Sequence, residues 1–338
     1  MSINENLKKY DPAGMHDVYD RWSDLARDAY DSEIQAVDFK NIDHVVFSGM
    51  GGSGAIGDLF ASILSKTDIY TTVVKGYTLP KTVDKNTLVV CTSVSGSTDE
   101  TLSILKSCTK LNCKTIGFSS GNMLESICNK YDIEYRNIPE THSPRASFPS
   151  YVFSILKTIR TIIPIKEEDI NLSIDNIEKI EKRISSQNIS EENTSLNLAN
   201  WISGIPVIYY PWGLEASAIR FKNSLQENAK THAIIENIIE SGHNCIVSWE
   251  RESTMTPILL TGKDDHTKTK ERWDIIREYF KMKEIEYKEI SSIDGGILSK
   301  ILCMIYTLDY ASIYYAIRLG INPSPINSID FIKDRLNH

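Results

Sequence analysis

At 338 residues the chain is too long for one typical core and suits two domains. A net charge of -8, with lysine and arginine scattered and not striped, gives no footprint for nucleic acid and excludes that class of partner. The N-terminal stretch has no apolar h-region and no apolar run approaches the roughly 18 residues of a membrane span, so a cytoplasmic protein with no membrane partner is expected.

Taken in order, a helical segment precedes HVVFS, a strand from His44 to Ser48, followed by a glycine turn and a helix to about Leu64. A second strand is expected from Ile69 to Val74 and a third in LVVCT from Leu88. There follow a helix from Thr98 to Leu111, a strand from Lys114 to Phe118, a short helix from Met123 to Cys128 and a strand from Ile133 to Arg136. Strands alternating with helices predict βαβ units and a parallel sheet covered on both faces. From about Ser150 to Ala199 the chain reads as helices with charged faces, including IDNIEKIEKRI, and holds no convincing strand. Beyond it, a strand from Ile205 to Tyr210, a turn through Pro211 and Gly213 and a helix to about Asn228 repeat the earlier logic. Further strands are expected at Cys245 to Trp249, Pro257 to Thr261 and Glu286 to Ile290, with helices at Thr269 to Met282 and Leu298 to Leu319. The fold class is therefore α/β in two similar halves. Residues 1–160 form an N-terminal domain with its leading helix, 161–200 a helical connection, and 201–338 a second domain ending in a helix and tail.

Six cysteines, at 91, 108, 113, 128, 245 and 303, form no CxxC pair and lie mostly in apolar patterns, which favours buried free thiols over zinc or disulfides. No HxH, HExxH or carboxylate cluster argues for a metal, and no cofactor is expected.

The most informative stretch is LVVCTSVSGSTDET, where an apolar strand ends in Ser93, Ser95, Gly96, Ser97 and Thr98 and acidic residues then open a helix. Backbone N–H groups at such a turn, the positive end of the next helix and short hydroxyls all favour a phosphate. The alternative is an ordinary Thr98 helix cap, which accounts for one hydroxyl of the four. Earlier, Gly49-Met-Gly51-Gly52-Ser53-Gly54 formally matches the dinucleotide fingerprint. The acid that would bind a ribose is missing, because Asp68 precedes the second strand instead of closing it and Val74-Lys75-Gly76 stands where it should be. A sugar-phosphate site fits better, with the bare backbone of Gly51 and Gly52 admitting the ligand and Ser53 adding a hydroxyl.

GMGGSGAIGD, TSVSGSTDET, SPRASFP, FKNSLQENAK, ESGHNCI and the C-terminal INPSPINSIDFIKDRL, in that order, resemble the bifunctional phosphoglucose/phosphomannose isomerase family of the sugar isomerase (SIS) domain superfamily. The resemblance implies two SIS domains, each a flavodoxin-like parallel sheet flanked by helices, with the active site between domains and at a homodimer interface. It makes Gly52, Ser53, Ser93, Ser95 and Thr98 the cradle for the phosphate of a hexose 6-phosphate. Arg145 matches an arginine near the sugar, and Glu227 the catalytic base. His243 matches a ring-opening histidine contributed by the neighbouring subunit, and Lys300 resembles a lysine that helps ring opening, although its flanks match poorly. Val94 and Ser97 depart from the family loop, and Gly242 and Cys245 depart from the pattern around the histidine.

The chemistry asks for these residue types on its own account. Interconverting an aldose and a ketose phosphate moves a proton between C1 and C2 through a cis-enediol, so one carboxylate must accept and return it on one face of the sugar. An arginine beside that carboxylate keeps it ionised and stabilises the enediolate, and a histidine titrating near neutrality suits ring opening. Taken singly each residue has a plain structural reading: Arg145 as an exposed loop cation, Glu227 as a solvated helix residue, His243 as a turn residue, Lys300 as a snorkelling helix lysine. Two other functions fit the motifs, a non-catalytic sugar-phosphate-binding SIS module and an isomerase of another sugar phosphate such as glucosamine 6-phosphate.

Overall fold

The computed structural model describes residues 3–336. The N-terminal segment is three helices, α1 (Ile3–Tyr10), α2 (Met15–Tyr19) and α3 (Trp22–Asp31). The first α/β unit follows as β1 (His44–Ser48), α4 (Gly51–Leu64), β2 (Tyr70–Val74), β3 (Thr87–Thr92), α5 (Asp99–Cys108), β4 (Lys114–Ser119), α6 (Asn122–Tyr131) and β5 (Glu134–Asn137). Helices α7 (Phe148–Thr158), α8 (Glu167–Ile184) and α9 (Thr194–Trp201) lead to the second unit. That unit is β6 (Ile205–Tyr210), α10 (Glu215–Asn228), β7 (Ile234–Asn237), α11 (Ile238–Ser241), a 3-10 helix at Cys245–Glu250, β8 (Met255–Thr261), α12 (Thr267–Met282), β9 (Lys288–Ser291) and α13 (Ile297–Arg318). A last helix, α14 (Asn327–Leu336), follows.

Both sheets are wholly parallel. The first has the order β2-β1-β3-β4-β5 and the second β7-β6-β8-β9, the doubly wound order of flavodoxin-like folds. Strands β1 and β3 are buried at every position, as continuous apolar runs in a parallel sheet require. One outer cluster packs α5 and α6 against the first sheet, and another packs α12 and the 3-10 helix against the second. Between the sheets a single larger core unites α4, α7, α8, α10 and α13. In α8 the buried Ile170, Ile174, Ile177 and Ile184 recur at helical spacing, so the stretch read as a connection packs its apolar stripe into this shared core.

Helix α13 runs through that core. Its apolar window has a mean hydropathy of 1.2, so by length and composition this 22-residue helix could cross a membrane, which corrects the reading that no run comes near that length. Of that window, 94 % is buried inside the protein. Tyr306, Tyr310 and Tyr314 stack along one face of α13, with Trp22 against Tyr306 at 4.7 Å between ring centroids.

One expected strand fails. Cys245 to Trp249 is not a strand but lies in a 3-10 helix, and a short strand not expected from the sequence, Ile234–Asn237, pairs with β6 on the side away from β8. The apolar run there is turned inward by Trp249, whose indole N–H donates to the Tyr209 hydroxyl at 2.7 Å, and by Cys245, whose thiol lies 3.4 Å from the same oxygen. Four cysteines are buried, while Cys113 and Cys245 are half-buried, and all six are free thiols.

Candidate active site

The glycine turn and the hydroxyl loop leave the carboxyl ends of β1 and β3, neighbouring strands at the point where the strand order reverses. That crevice is where open parallel sheets hold ligands. Among the described residues no side chain caps the first turn of α4 or α5, so both helix starts present N–H groups to the crevice. The Thr98 hydroxyl does not act as a cap; it lies 2.9 Å from the Ser93 hydroxyl. Ser53 ties the two loops together, its Oγ accepting the Val94 N–H at 3.4 Å. Ser95 is held through its carbonyl, which accepts from Asn122 Nδ2 at 2.8 Å, and its hydroxyl accepts from that of the exposed Ser97. Gly96 has φ of 68°, and an added Cβ would stand 1.9 Å from the Gly121 carbonyl, so only glycine lets the loop lie there.

Gly51, also left-handed, has nothing within 4 Å of an added Cβ and faces open space. At Gly52 an added Cβ would fill the space beside Arg145 Cα, 3.4 Å away, so the glycine pair abuts the arginine loop.

Arg145 is only 3 % exposed, which removes its reading as an exposed loop cation. Its Nε donates to Asn228 Oδ1 at 2.7 Å, its Nη2 donates to the carbonyls of Pro323 and Ser324 at 2.7 and 2.9 Å, and its Nη1 stands 3.5 Å from Glu227 Oε2. Behind it lies a buried scaffold. Arg220 donates to the Arg145 carbonyl at 2.7 Å and to Asp309 Oδ2 at 2.8 Å, and Ser224 donates to Asp309 Oδ1 at 2.6 Å. Asn228 in turn donates to Ser312 on α13 at 2.8 Å. Burial opposes the charge of Arg220, yet the Asp309 carboxylate raises its pKa above the usual arginine value. Sequence reasoning missed this scaffold although α10 carries its signal: Arg220, Ser224 and Asn228 are polar residues four apart on one helical face, all buried.

Glu227, in the last turn of α10, keeps 22 % of its side chain exposed and opens onto a cleft of about 760 Å³. Gly51 lines the same cleft, as do Lys230, His232 and the segment from Pro325 to Ile329. Lys230 Nζ donates to the carbonyls of Glu227 at 2.6 Å and of Asn228, Asn322 and Pro323 at 3.3 Å each. Burial, helped by the Arg145 charge and opposed by Glu227, pushes its pKa down to about 8. Neither Lys230 nor His232 stood out in the sequence.

The remaining candidates lie elsewhere. His243 is exposed in the turn after α11, outside the residues lining the Glu227 cleft. Gly242 before it has an ordinary φ of -67°, so no glycine-specific backbone is needed there. Lys300 does not join Glu227. It sits in the first turn of α13, 8 % exposed and paired with Asp264, and lines a smaller cleft at the ends of β6 and β8, the corresponding crevice of the second sheet. A further cleft of about 650 Å³ on Asp58, Tyr70 and Trp212 holds none of the candidate residues.

Two family models match. The SIS domain covers residues 38–158, and the bacterial phospho-glucose isomerase C-terminal SIS domain covers residues 191–336. Among curated proteins, the bifunctional phosphoglucose/phosphomannose isomerase of Caldicellulosiruptor bescii is 30 % identical over 88 % of this chain and 90 % of its own length. That of Aquifex aeolicus is 28 % identical over 93 % and 94 %. The D-glucosamine-6-phosphate 4-epimerase of Sulfolobus acidocaldarius is 27 % identical over 96 % and 98 %. Among solved structures, a hypothetical protein of Thermus thermophilus superimposes with a TM-score of 0.73 at 13 % identity, covering 99 % of this chain and 92 % of its own. The tagatose-6-phosphate ketose/aldose isomerase of Escherichia coli superimposes with a TM-score of 0.64 at 13 % identity, covering 95 % and 94 %.

Proposed function

The chain belongs to the bifunctional phosphoglucose/phosphomannose isomerase family, whose members are aldose–ketose isomerases of hexose phosphates, and we propose that its own isomerisation runs through Glu227. The observation that carries this reading is the Arg145–Glu227 pair at 3.5 Å, set at the mouth of a cleft that Gly51 shares. The phosphate of glucose 6-phosphate or mannose 6-phosphate sits on Gly52, Ser53, Ser93, Ser95 and Thr98. Glu227 removes the proton at C2 and returns it at C1, giving fructose 6-phosphate. Arg145, locked by its hydrogen bonds, supplies fixed positive charge where the enediolate oxygens develop theirs, with no reorganisation at the moment of reaction.

His243 opens the ring from a second copy of the chain in a homodimer. Its exposure and its absence from the lining of the Glu227 cleft support that placement. Lys300 is paired with Asp264 in the other crevice, apart from the cleft that Glu227 lines.

Coupled assays with glucose, mannose and glucosamine 6-phosphates side by side test the reading. Fructose 6-phosphate should form from the first two. Turnover of glucosamine 6-phosphate alone would move the assignment to another sugar phosphate, and turnover of none would favour the binding module.

A further inference from the structure

Lys230 stands where a helix of this kind ordinarily ends in glycine. After the last residue of α10, Asn228, the chain passes through Ala229 to Lys230 at φ 54°, and the Thr231 N–H closes the helix on the Leu225 carbonyl at 3.2 Å. Position C′ of such a cap is left-handed, which glycine adopts freely and a side-chain-bearing residue adopts only with strain. Strain of this sort is retained where the surrounding structure or the function demands it. Here the side chain folds back over the helix end. Its ammonium reaches two carbonyls of α10, those of Glu227 and Asn228, and two of the segment after α13, those of Asn322 and Pro323. The same segment is held from the other side by Arg145, through Pro323 and Ser324. It continues as Pro325 to Ile329, the wall of the cleft that faces Glu227.

We infer that Lys230 is a positioning residue for the reaction: it bolts the end of α10, and with it Glu227, to the C-terminal segment that walls the cleft. This rests on the role of Glu227 given above. Arg145 touches the carboxylate and the segment but not the backbone of the base, whereas Lys230 holds that backbone and the segment together.

The test compares Lys230→Gly and Lys230→Arg with the wild-type chain in three measurements: melting temperature, isomerase kinetics, and the rate of limited proteolysis between residues 326 and 336. Lys230→Gly relieves the backbone strain, so its melting temperature should equal or exceed that of the wild type. Its kcat should nevertheless fall about 10- to 100-fold, the scale on which small misplacements of catalytic groups act. Cleavage between 326 and 336 should accelerate, and Lys230→Arg should recover most of both. Unchanged kcat in Lys230→Gly overturns the inference, and so does a loss of activity that follows a falling melting temperature. The proteolysis arm needs no turnover. Unaltered cleavage rejects the bolt whatever the activity, and a wild type inactive on hexose phosphates rejects the isomerase reading while the bolt is still judged.

Discussion

The guanidinium of Arg145 meets the carboxylate of Glu227 at 3.5 Å, and the remaining donors of Arg145 are taken by Asn228, Pro323 and Ser324. Three parts of the chain distant in sequence thus converge on one guanidinium. Replacing Glu227 by Gln keeps the volume and removes the base. Turnover should fall by about 10²- to 10⁴-fold, the usual worth of general base catalysis, while calorimetric affinity for fructose 6-phosphate stays within a few-fold. Retained isomerase activity in that variant would sink the assignment.

The phosphate cradle separates from the chemistry by its kinetic signature. Ser95→Ala should raise KM more than it lowers kcat, because a contact to the far end of the sugar supplies mainly uniform binding. Gly96→Ala should do more, since its Cβ would collide with the Gly121 carbonyl and its φ of 68° strains any L side chain. A stability loss of about 1–2 kcal/mol or more, read from urea unfolding, should accompany a larger rise in KM. Equal KM values for both variants and the wild type would remove the loop from the site.

The placement of His243 across a dimer predicts complementation. Glu227→Gln and His243→Ala chains, each inactive alone, should regain activity when mixed and allowed to exchange, because one site in each mixed dimer then holds both native residues. No recovery, with exchange verified by differential labelling, would place the histidine elsewhere.

Asp309 is fully buried and answers the charge of Arg220. Its replacement by alanine strands a buried guanidinium and also frees the Ser224 hydroxyl, so about 3–5 kcal/mol of stability should be lost. Chemical denaturation measures this directly; a loss below about 1 kcal/mol would show that Arg220 finds another partner.

The pH dependence of stability should carry the mark of His16 and Asp11. Burial works against the charge on both, but their mutual bonds, at 2.7 Å between Nδ1 and Oδ2 and 2.8 Å from the His16 N–H, outweigh it. The histidine is raised above 6.5 and the aspartate lowered below 3.8. A raised histidine contributes fully below 6.5 and loses its contribution as pH climbs through its folded value; a lowered aspartate contributes above 3.8 and loses it on acidification. The melting temperature of the wild type relative to His16→Gln should therefore be greatest between roughly pH 4 and 6.5 and shrink above that. A constant difference across pH 5 to 9 would contradict the pairing.

How much of this was legible in the chain follows from where the information lies. Strands β1, β3 and β6 were plain because a strand covered on both faces is written as an unbroken apolar run. The four-residue β7 was not, because so short an edge strand has no periodicity to detect, and the more apolar Cys245 to Trp249 competed for its place until Tyr209 drew it into a 3-10 turn. In the site, the hydroxyl loop is a candidate by local pattern and Glu227 by resemblance. Lys300, matched by resemblance to a ring-opening lysine, lines the other crevice, and which crevice the start of α13 faces is decided by tertiary packing. Lys230 and the Arg220–Asp309 scaffold were missed because their meaning is purely tertiary: a helix cap, and a partner on another helix.

Helix α13 also sets the order in which the protein can be completed. It begins at Ile297, after every strand of both sheets, yet α8, α9 and α10 all pack against it. While the chain is being translated, the apolar faces of those helices must wait uncovered until the ribosome has released residues 297–318, and the segment that finally covers them is apolar enough to be mistaken for a membrane span. A nascent chain stalled before Ile297 thus leaves the faces of α8, α9 and α10 that meet α13 exposed, the kind of apolar surface that chaperones bind.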